Sequence, residues 1–167
     1  MAIETGDKFI RIAVEIREEL MKLDVLYAEW RGVDSDAGMP SLFLRGKASI
    51  FHDFYCGAER IFKKIAAELN GGVPAGESWH QELLNDMKLD LPRLRPPVIS
   101  AETHKLLLEF LSFRHKFRNI YGFELELDKI ANIEGKFPEA HKRFKTDLVI
   151  FLDFLDKLAG VSPATQN

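Results

Sequence analysis

Apolar residues recur at steps of three and four along most of the chain, which is the spacing that places them on one face of an α-helix. A first run covers residues 7 to about 30, and a second carries a broad apolar arc from residue 50 to 66 before Gly71 and Gly72 end it. Turn-forming residues crowd the stretch between 32 and 40. We therefore predict two long amphipathic helices joined by a loop.

The middle of the chain continues this pattern in shorter pieces. Ser78 with Gln81 three residues later is a capping-box signal for a short helix. Three prolines within residues 90–97 favour an extended connector, because each proline lacks a backbone donor. Ser100 is expected to cap a third long helix that continues to about Tyr121.

The last part of the chain is less regular. Residues 122–135 are charged and poorly periodic, and Pro138 suits the first position of a last helix that ends near Gly160. No segment alternates convincingly with period two, so we predict an all-α, up-and-down bundle of four long helices plus one or two short ones. One domain is expected over residues 1–160, with a flexible tail over residues 161–167.

Composition narrows the class of protein without naming a function. The chain has 167 residues, and its thirteen phenylalanines are the one excess in its composition. Its formal net charge is −3, so it carries no global positive field for nucleic acid and any RNA contact must be local. Cys56 is the one cysteine, which excludes an intramolecular disulfide and a thiolate metal cluster. The apolar runs are too short to cross a bilayer, and the N-terminus lacks a signal pattern. We expect a soluble, cytoplasmic protein.

Two arginines in the third long helix are the most informative candidates for chemistry. At about 100° per residue, Arg114 and Arg118 lie on the same flank as two leucines, beside the apolar stripe. A guanidinium that borders a core must be paired or face a cleft, since arginine does not deprotonate. Glu59, on the second helix near Tyr55, is the best candidate partner. Either the pair only sets helix register, or a guanidinium points into a groove and binds a phosphate.

The histidines give weaker signals. His115 lies at the polar edge of the third long helix, and as a general acid or base it would need a second polar partner across a groove. His52 beside Asp53, and Glu77 three residues before His80, only loosely match the spacing of metal ligands. We predict no metal site and no cofactor.

Four motifs follow one another between residues 54 and 121. They are Phe54-Tyr55-x-Gly57-x-Glu59-Arg60-Ile61-Phe62, Trp79-His80-x-x-Leu83-Leu84, Arg95-Pro96-Pro97-Val98-Ile99-Ser100 and Phe113-Arg114-His115-x-Phe117-Arg118-Asn119-x-Tyr121. In this order they resemble the HepT-like proteins of the HEPN superfamily, which are encoded beside minimal nucleotidyltransferases in prokaryotic toxin–antitoxin pairs, and the likeness covers roughly residues 48 to 130. The resemblance implies an α-helical bundle, commonly dimeric, whose active members are metal-independent ribonucleases with two motifs meeting in a cleft between protomers.

The resemblance assigns roles to particular residues and also shows a departure. Arg118 matches the motif arginine and Asn119 the polar residue after it. In the commonest form, Arg-Asn-x-x-x-His-x-Tyr, the histidine would stand at Phe123 and the tyrosine at Leu125, and neither matches. Phenylalanine cannot transfer a proton, so both ribonuclease activity and its regulation through that tyrosine lose their usual residues.

Two functions from different classes follow. If RNA is cleaved, the implied substitutes are His115 as general base or acid, Arg118 and Arg114 as stabilisers of phosphorane charge, and Tyr121 as a hydroxyl donor. The leading hypothesis is accordingly a toxin-type ribonuclease or RNA-binding protein, built as a homodimer whose Arg118 regions face each other. The alternative is a non-catalytic binding partner of a nucleotidyltransferase, in which the two arginines, Glu59 and Asn119 form only a buried polar network; the net negative charge favours it.

Overall fold

The fold is a bundle of helices. It is seen in a computed structural model that describes residues 2–33, 40–118 and 126–161, without the side chains of residues 2–5, 40 and 41. In that part of the chain the only strand-like pairing is a single bridge between Leu91 and Arg95. The prediction of an all-α bundle with four long helices and a short one is confirmed. The helices are α1 (Ala2–Gly32), α2 (Pro40–Leu69), α3 (Trp79–Met87), α4 (Ala101–Phe117) and α5 (Leu127–Ala159).

The helices are arranged around α2 and α5. α1 packs against one side of this pair, α4 packs against α2 and α5 as well, and the short α3 bridges α2 and α4. The core between them is rich in phenylalanine, which accounts for the excess of that residue in the composition. None of the described helices has the length and apolar character needed to cross a membrane.

The start of α5 corrects the sequence-based expectation. The helix begins at Leu127, so Pro138 lies inside it rather than at its first position. Ile130, Ile133 and Phe137 are all buried, at the i, i+3 and i+7 positions of one face. The free energy gained by burying this face exceeds the cost of the backbone hydrogen bond that Pro138 removes. Charged residues between the apolar positions make the helical spacing hard to recognise in the sequence.

Other boundaries differ by smaller amounts. α1 begins at Ala2 rather than residue 7, and α2 already begins at Pro40, before its broad apolar arc. α4 ends at Phe117, where Arg118 forms the C-cap. The predicted continuation to Tyr121 lies outside the described residues, as does most of the tail predicted over residues 161–167. One domain over residues 1–160 stays a prediction.

The capping predictions have mixed outcomes. Ser100 caps α4 as expected, because its Oγ accepts a hydrogen bond from the backbone N of Thr103 at 3.2 Å. Gly160 ends α5 in the left-handed region, at φ 70°, which a glycine adopts without strain. Ser78 precedes α3 but makes no side-chain cap hydrogen bond, so the predicted capping box is wrong.

The proline-rich connector is a closed turn rather than an extended stretch. Leu91 and Arg95 exchange two backbone hydrogen bonds of 3.0 Å. The Arg95 guanidinium is buried at 2% exposure and donates to Asn70 Oδ1 at 2.8 Å and to the backbone oxygen of Asp86 at 2.9 Å. Burial lowers the pKa of this guanidinium, and the nearby carboxylate of Asp86 opposes the shift. The arginine holds the turn against the ends of α2 and α3.

Candidate functional site

Polar side chains from three helices meet where α3 lies between α2 and α4. α2 places Cys56 and Glu59 on neighbouring turns of one flank, α3 contributes His80 at its second residue, and α4 contributes Arg114. We call these four residues the polar cluster. It is nearly closed to solvent, since the side chains of Glu59, His80 and Arg114 are only 5%, 11% and 10% exposed.

Glu59 is the centre of the polar cluster. Its Oε2 lies 2.5 Å from Nδ1 of His80, and its Oε1 lies 3.5 Å from Nη2 of Arg114. Because a carboxylate only accepts, His80 Nδ1 carries the hydrogen and donates it to Glu59. The 3.2 Å contact between Arg114 Nη1 and that same Nδ1 is therefore not a hydrogen bond. One buried carboxylate thus faces both the guanidinium and the imidazole.

Cys56 extends the polar cluster along α2. Arg114 Nε donates to its Sγ at 3.3 Å, and the His52 ring nitrogens lie 3.7 and 3.8 Å from the sulfur. The His52 ring also packs against Phe117, with ring centroids 5.3 Å apart, and its Nδ1 lies 3.1 Å from Asp53 Oδ1. A row of polar groups along α2 therefore follows the last two turns of α4.

Arg114 and Arg118 differ in their exposure to solvent. The expected pairing of Glu59 with a guanidinium of the third long helix is found for Arg114, which is buried. Arg118 is exposed, so the expectation that both guanidiniums border the core is wrong for this residue. The physical reason is that α4 ends at Phe117, and Arg118 as its C-cap lies beyond the last turn that packs on α2.

His115 is exposed on α4 next to the polar cluster. Its ring lies edge-to-face against His80, with centroids 5.3 Å apart and planes at 84°. Partial burial lowers the pKa of His115, the electrostatic effects of His80, Arg114 and Arg118 lower it further, and Glu59 opposes them. The imidazole is consequently neutral at neutral pH and able to accept a proton. His80 is the second polar partner that the sequence analysis required for it.

The other predicted site residues either lie outside the described residues or do not form a metal site. Asn119, Tyr121 and Phe123 lie outside the described residues. Glu77 is exposed, while His80 lies with Glu59 instead. In the described ranges, no group of three or more His, Cys, Asp or Glu side chains is arranged to hold a metal ion.

Tyr55 is buried in the core. Its side chain is 0% exposed, and its hydroxyl has no hydrogen-bond partner among the residues that the structure describes. Burial raises the pKa of this phenol well above its usual value, with a smaller contribution from the negative charge of Glu59. A predicted binding residue is thus covered by the bundle rather than lining an open groove.

This burial gives a testable expectation. Tyr55→Phe is expected to leave the free energy of unfolding unchanged or to raise it by about 1 kcal/mol, because it removes an unsatisfied hydroxyl and keeps the ring. Urea denaturation followed by circular dichroism measures this, and Tyr55→Leu serves as the control that loses the ring. A loss of more than about 1 kcal/mol in Tyr55→Phe would show that the hydroxyl has a partner.

The sequence did not predict His80 and Cys56 as members of the polar cluster. His80 carries a signal, since it stands in the Trp-His motif of the resemblance, whereas its spacing from Glu77 only loosely matches that of metal ligands. Cys56 precedes Glu59 by three residues on the same helix, so the helical spacing could have placed them together.

Comparison with known proteins agrees with this architecture. A family model described as HepT-like protein matches residues 47–155, which is more than half of the chain and includes the polar cluster, His115 and Arg118. α1 precedes the matched region. No curated protein and no solved structure gives a significant match. The chain therefore belongs to the HepT-like proteins of the HEPN superfamily, as the four sequence motifs predicted.

Proposed function

We propose that this chain is the RNA-directed component of a prokaryotic toxin–antitoxin module and acts as a metal-independent ribonuclease. The observation that carries the proposal is the pair of exposed side chains at the end of α4, His115 and Arg118, which lie one helical turn apart. His115 is a proton acceptor at neutral pH, and Arg118 is a permanent cation with a planar fork for phosphate oxygens.

The chemistry assigned to this pair is an internal transesterification. His115 takes the proton of an RNA 2′-hydroxyl, the 2′-oxygen bonds to the adjacent phosphorus, and the bond from phosphorus to the 5′-oxygen breaks. The 5′-oxygen takes a proton from solvent water and His115 returns its proton to the solvent, so the products end in a 2′,3′-cyclic phosphate and a 5′-hydroxyl. Arg118 stabilises the charge that develops on the phosphorane oxygens. Arg114, which faces Glu59, is assigned to holding α4 in place.

Local charge supports an anionic substrate. Lys116 and Arg118 are both exposed cations at the end of α4, whereas the whole chain carries a formal charge of −3. Because the net charge of the chain is negative, RNA could bind only where positive side chains are concentrated, and the end of α4 is such a place. In a homodimer whose Arg118 regions face each other, two such groups would line one cleft.

Incubation of the purified protein with tRNA or mRNA, with and without a chelator, tests the ribonuclease. We expect cleavage that is insensitive to the chelator and is lost by at least ~100-fold in Arg118→Ala, with unchanged circular dichroism because the side chain is exposed. Arg143→Ala is the matched control, since that arginine pairs with Glu139 on α5. Intact RNA at high protein excess would overturn the ribonuclease.

The proton-accepting role of His115 has its own signature. His115→Ala is expected to lower the cleavage rate by about 100- to 10,000-fold, with partial recovery on addition of imidazole. In the wild type the rate should rise with pH as the imidazole loses its proton, and it should level off before neutral pH because the pKa is lowered. A rate that falls with rising pH over this range would contradict the assignment.

A second candidate function is supported by different observations. Arg114 is fully engaged within the polar cluster, and Phe123 replaces the motif histidine. These features suit a non-catalytic or substrate-binding partner of a minimal nucleotidyltransferase. A nucleotidyltransferase reading frame adjacent to the gene, and co-purification of the two products without RNA cleavage, would favour this function over the ribonuclease. A monomer in solution at high concentration would remove the paired cleft from the ribonuclease proposal and leave the binding partner unaffected.

A further inference from the structure

The imidazole of His80 is fixed by contacts with two other side chains. Besides the hydrogen bond to Glu59, its ring stacks on the indole of Trp79 with centroids 3.5 Å apart. Trp79 in turn lies under the ammonium of Lys63, at 4.2 Å from the ring centroid. The position and orientation of the imidazole are therefore set by α2 and by its own neighbour on α3.

The ring also leaves one side for α4. With Nδ1 committed to Glu59, the rest of the imidazole faces Arg114, whose Nη1 is 3.5 Å from Nε2, and the edge-to-face ring of His115. Residues 114 and 115 are consecutive on α4, so one imidazole from α3 contacts both. An exposed side chain in contact with a buried, fixed ring loses rotamer freedom.

We propose that His80, fixed by Glu59, is a positioning residue for His115: its edge-to-face ring contact sets the direction of the exposed imidazole. The inference rests on the proposed function, in which His115 takes the proton of the 2′-hydroxyl. Among the residues that the structure describes, the charged and titratable groups that act on His115 include Arg114 and Arg118 from α4, His80 from α3 and Glu59 from α2. The reacting geometry then depends on α3, although His80 itself touches no substrate.

NMR titration of the His115 ring tests this inference without any substrate. In His80→Gln the pKa of His115 is expected to rise, because the contribution of His80 that lowers it is removed, and the side-chain couplings of His115 should show rotamer averaging. His80→Phe should raise the pKa as well but keep the fixed rotamer, since the aromatic contact remains. His104→Gln is the control, because His104 is a buried histidine of the same α3–α4 interface, bound to Asn85 at 2.7 Å.

Kinetics adds a second readout. His80→Gln is expected to lower kcat for RNA cleavage by about 10- to 100-fold with KM little changed, because the bound substrate meets a misoriented base. His104→Gln should leave kcat unchanged. If His80→Gln does not fold, as judged by circular dichroism, His80→Phe provides the titration.

The two proposals fail in different ways. An unchanged His115 titration and rotamer in both His80 variants would overturn the positioning role, whatever the activity. Wild-type protein that leaves RNA intact would overturn the ribonuclease, while the titration still decides whether His80 controls His115.

Discussion

Phe137→Ala is expected to lower the free energy of unfolding by about 3 to 5 kcal/mol, because it empties the centre of the aromatic core. The side chain is 0% exposed, and rings from three other helices surround it. Removing it deletes edge-to-face ring contacts as well as apolar burial, and the neighbouring rings cannot all collapse into one cavity. The rings within 6.0 Å of its centroid are those of Tyr27, Trp30, Phe51, Phe54 and Phe110.

Urea denaturation followed by circular dichroism measures the loss. Ile150→Ala is the matched control on the same helix, since Ile150 is 66% exposed and its truncation should change the free energy by less than about 0.5 kcal/mol. Equal effects of the two substitutions would show that Phe137 does not occupy the core.

Glu59→Ala should be nearly as damaging, at about 3 to 5 kcal/mol, for an electrostatic reason. Truncation leaves the Arg114 guanidinium buried without its carboxylate, and His80 loses the acceptor of its Nδ1 hydrogen. Arginine cannot escape by deprotonation, so the full penalty of an unpaired buried cation remains. The effect measures the unpaired charge rather than the net contribution of the ion pair to stability.

Two further variants separate these contributions. In Glu59→Ala/Arg114→Met the buried cation is gone, so part of the lost free energy of unfolding should return. Glu139→Ala removes a glutamate whose side chain is 50% exposed and pairs with Arg143, and it should change stability by less than about 1 kcal/mol. A Glu59→Ala loss no larger than that of Glu139→Ala would mean that Arg114 reaches solvent.

Most of the fold could be predicted because the helices follow from the local spacing of apolar residues. The helical runs, the Ser100 cap and the Gly160 end depend on residues within a few positions of each other. The start of α5 could not, since a proline is usually a boundary and only the burial of Phe137 against other helices shows that this one is interior. The closed turn at Arg95 likewise depends on acceptors from Asn70 and Asp86.

The candidate site divides in the same way. The angular positions of Arg114 and Arg118, and the position of Glu59 at the edge of another helix, were enough to name Glu59 as the best candidate partner, but not to choose between the two arginines. The exposure of Arg118 was not predictable from the same angle, because it depends on where α4 ends. His80 lies in the site because α3 packs between α2 and α4. It is 21 residues after Glu59 and 34 before Arg114 in the sequence, so helical spacing could not predict these contacts.

The chain alone determined its helical class, the order of its elements and its family, and it indicated Glu59 as the candidate partner of a guanidinium, because each follows from spacing along a helix or from short motifs. Only the packing of helices decided which polar groups share one enclosure and which remain in water. Periodicity specifies the direction of a side chain relative to its own axis, whereas the neighbours that it meets depend on how distant segments come together.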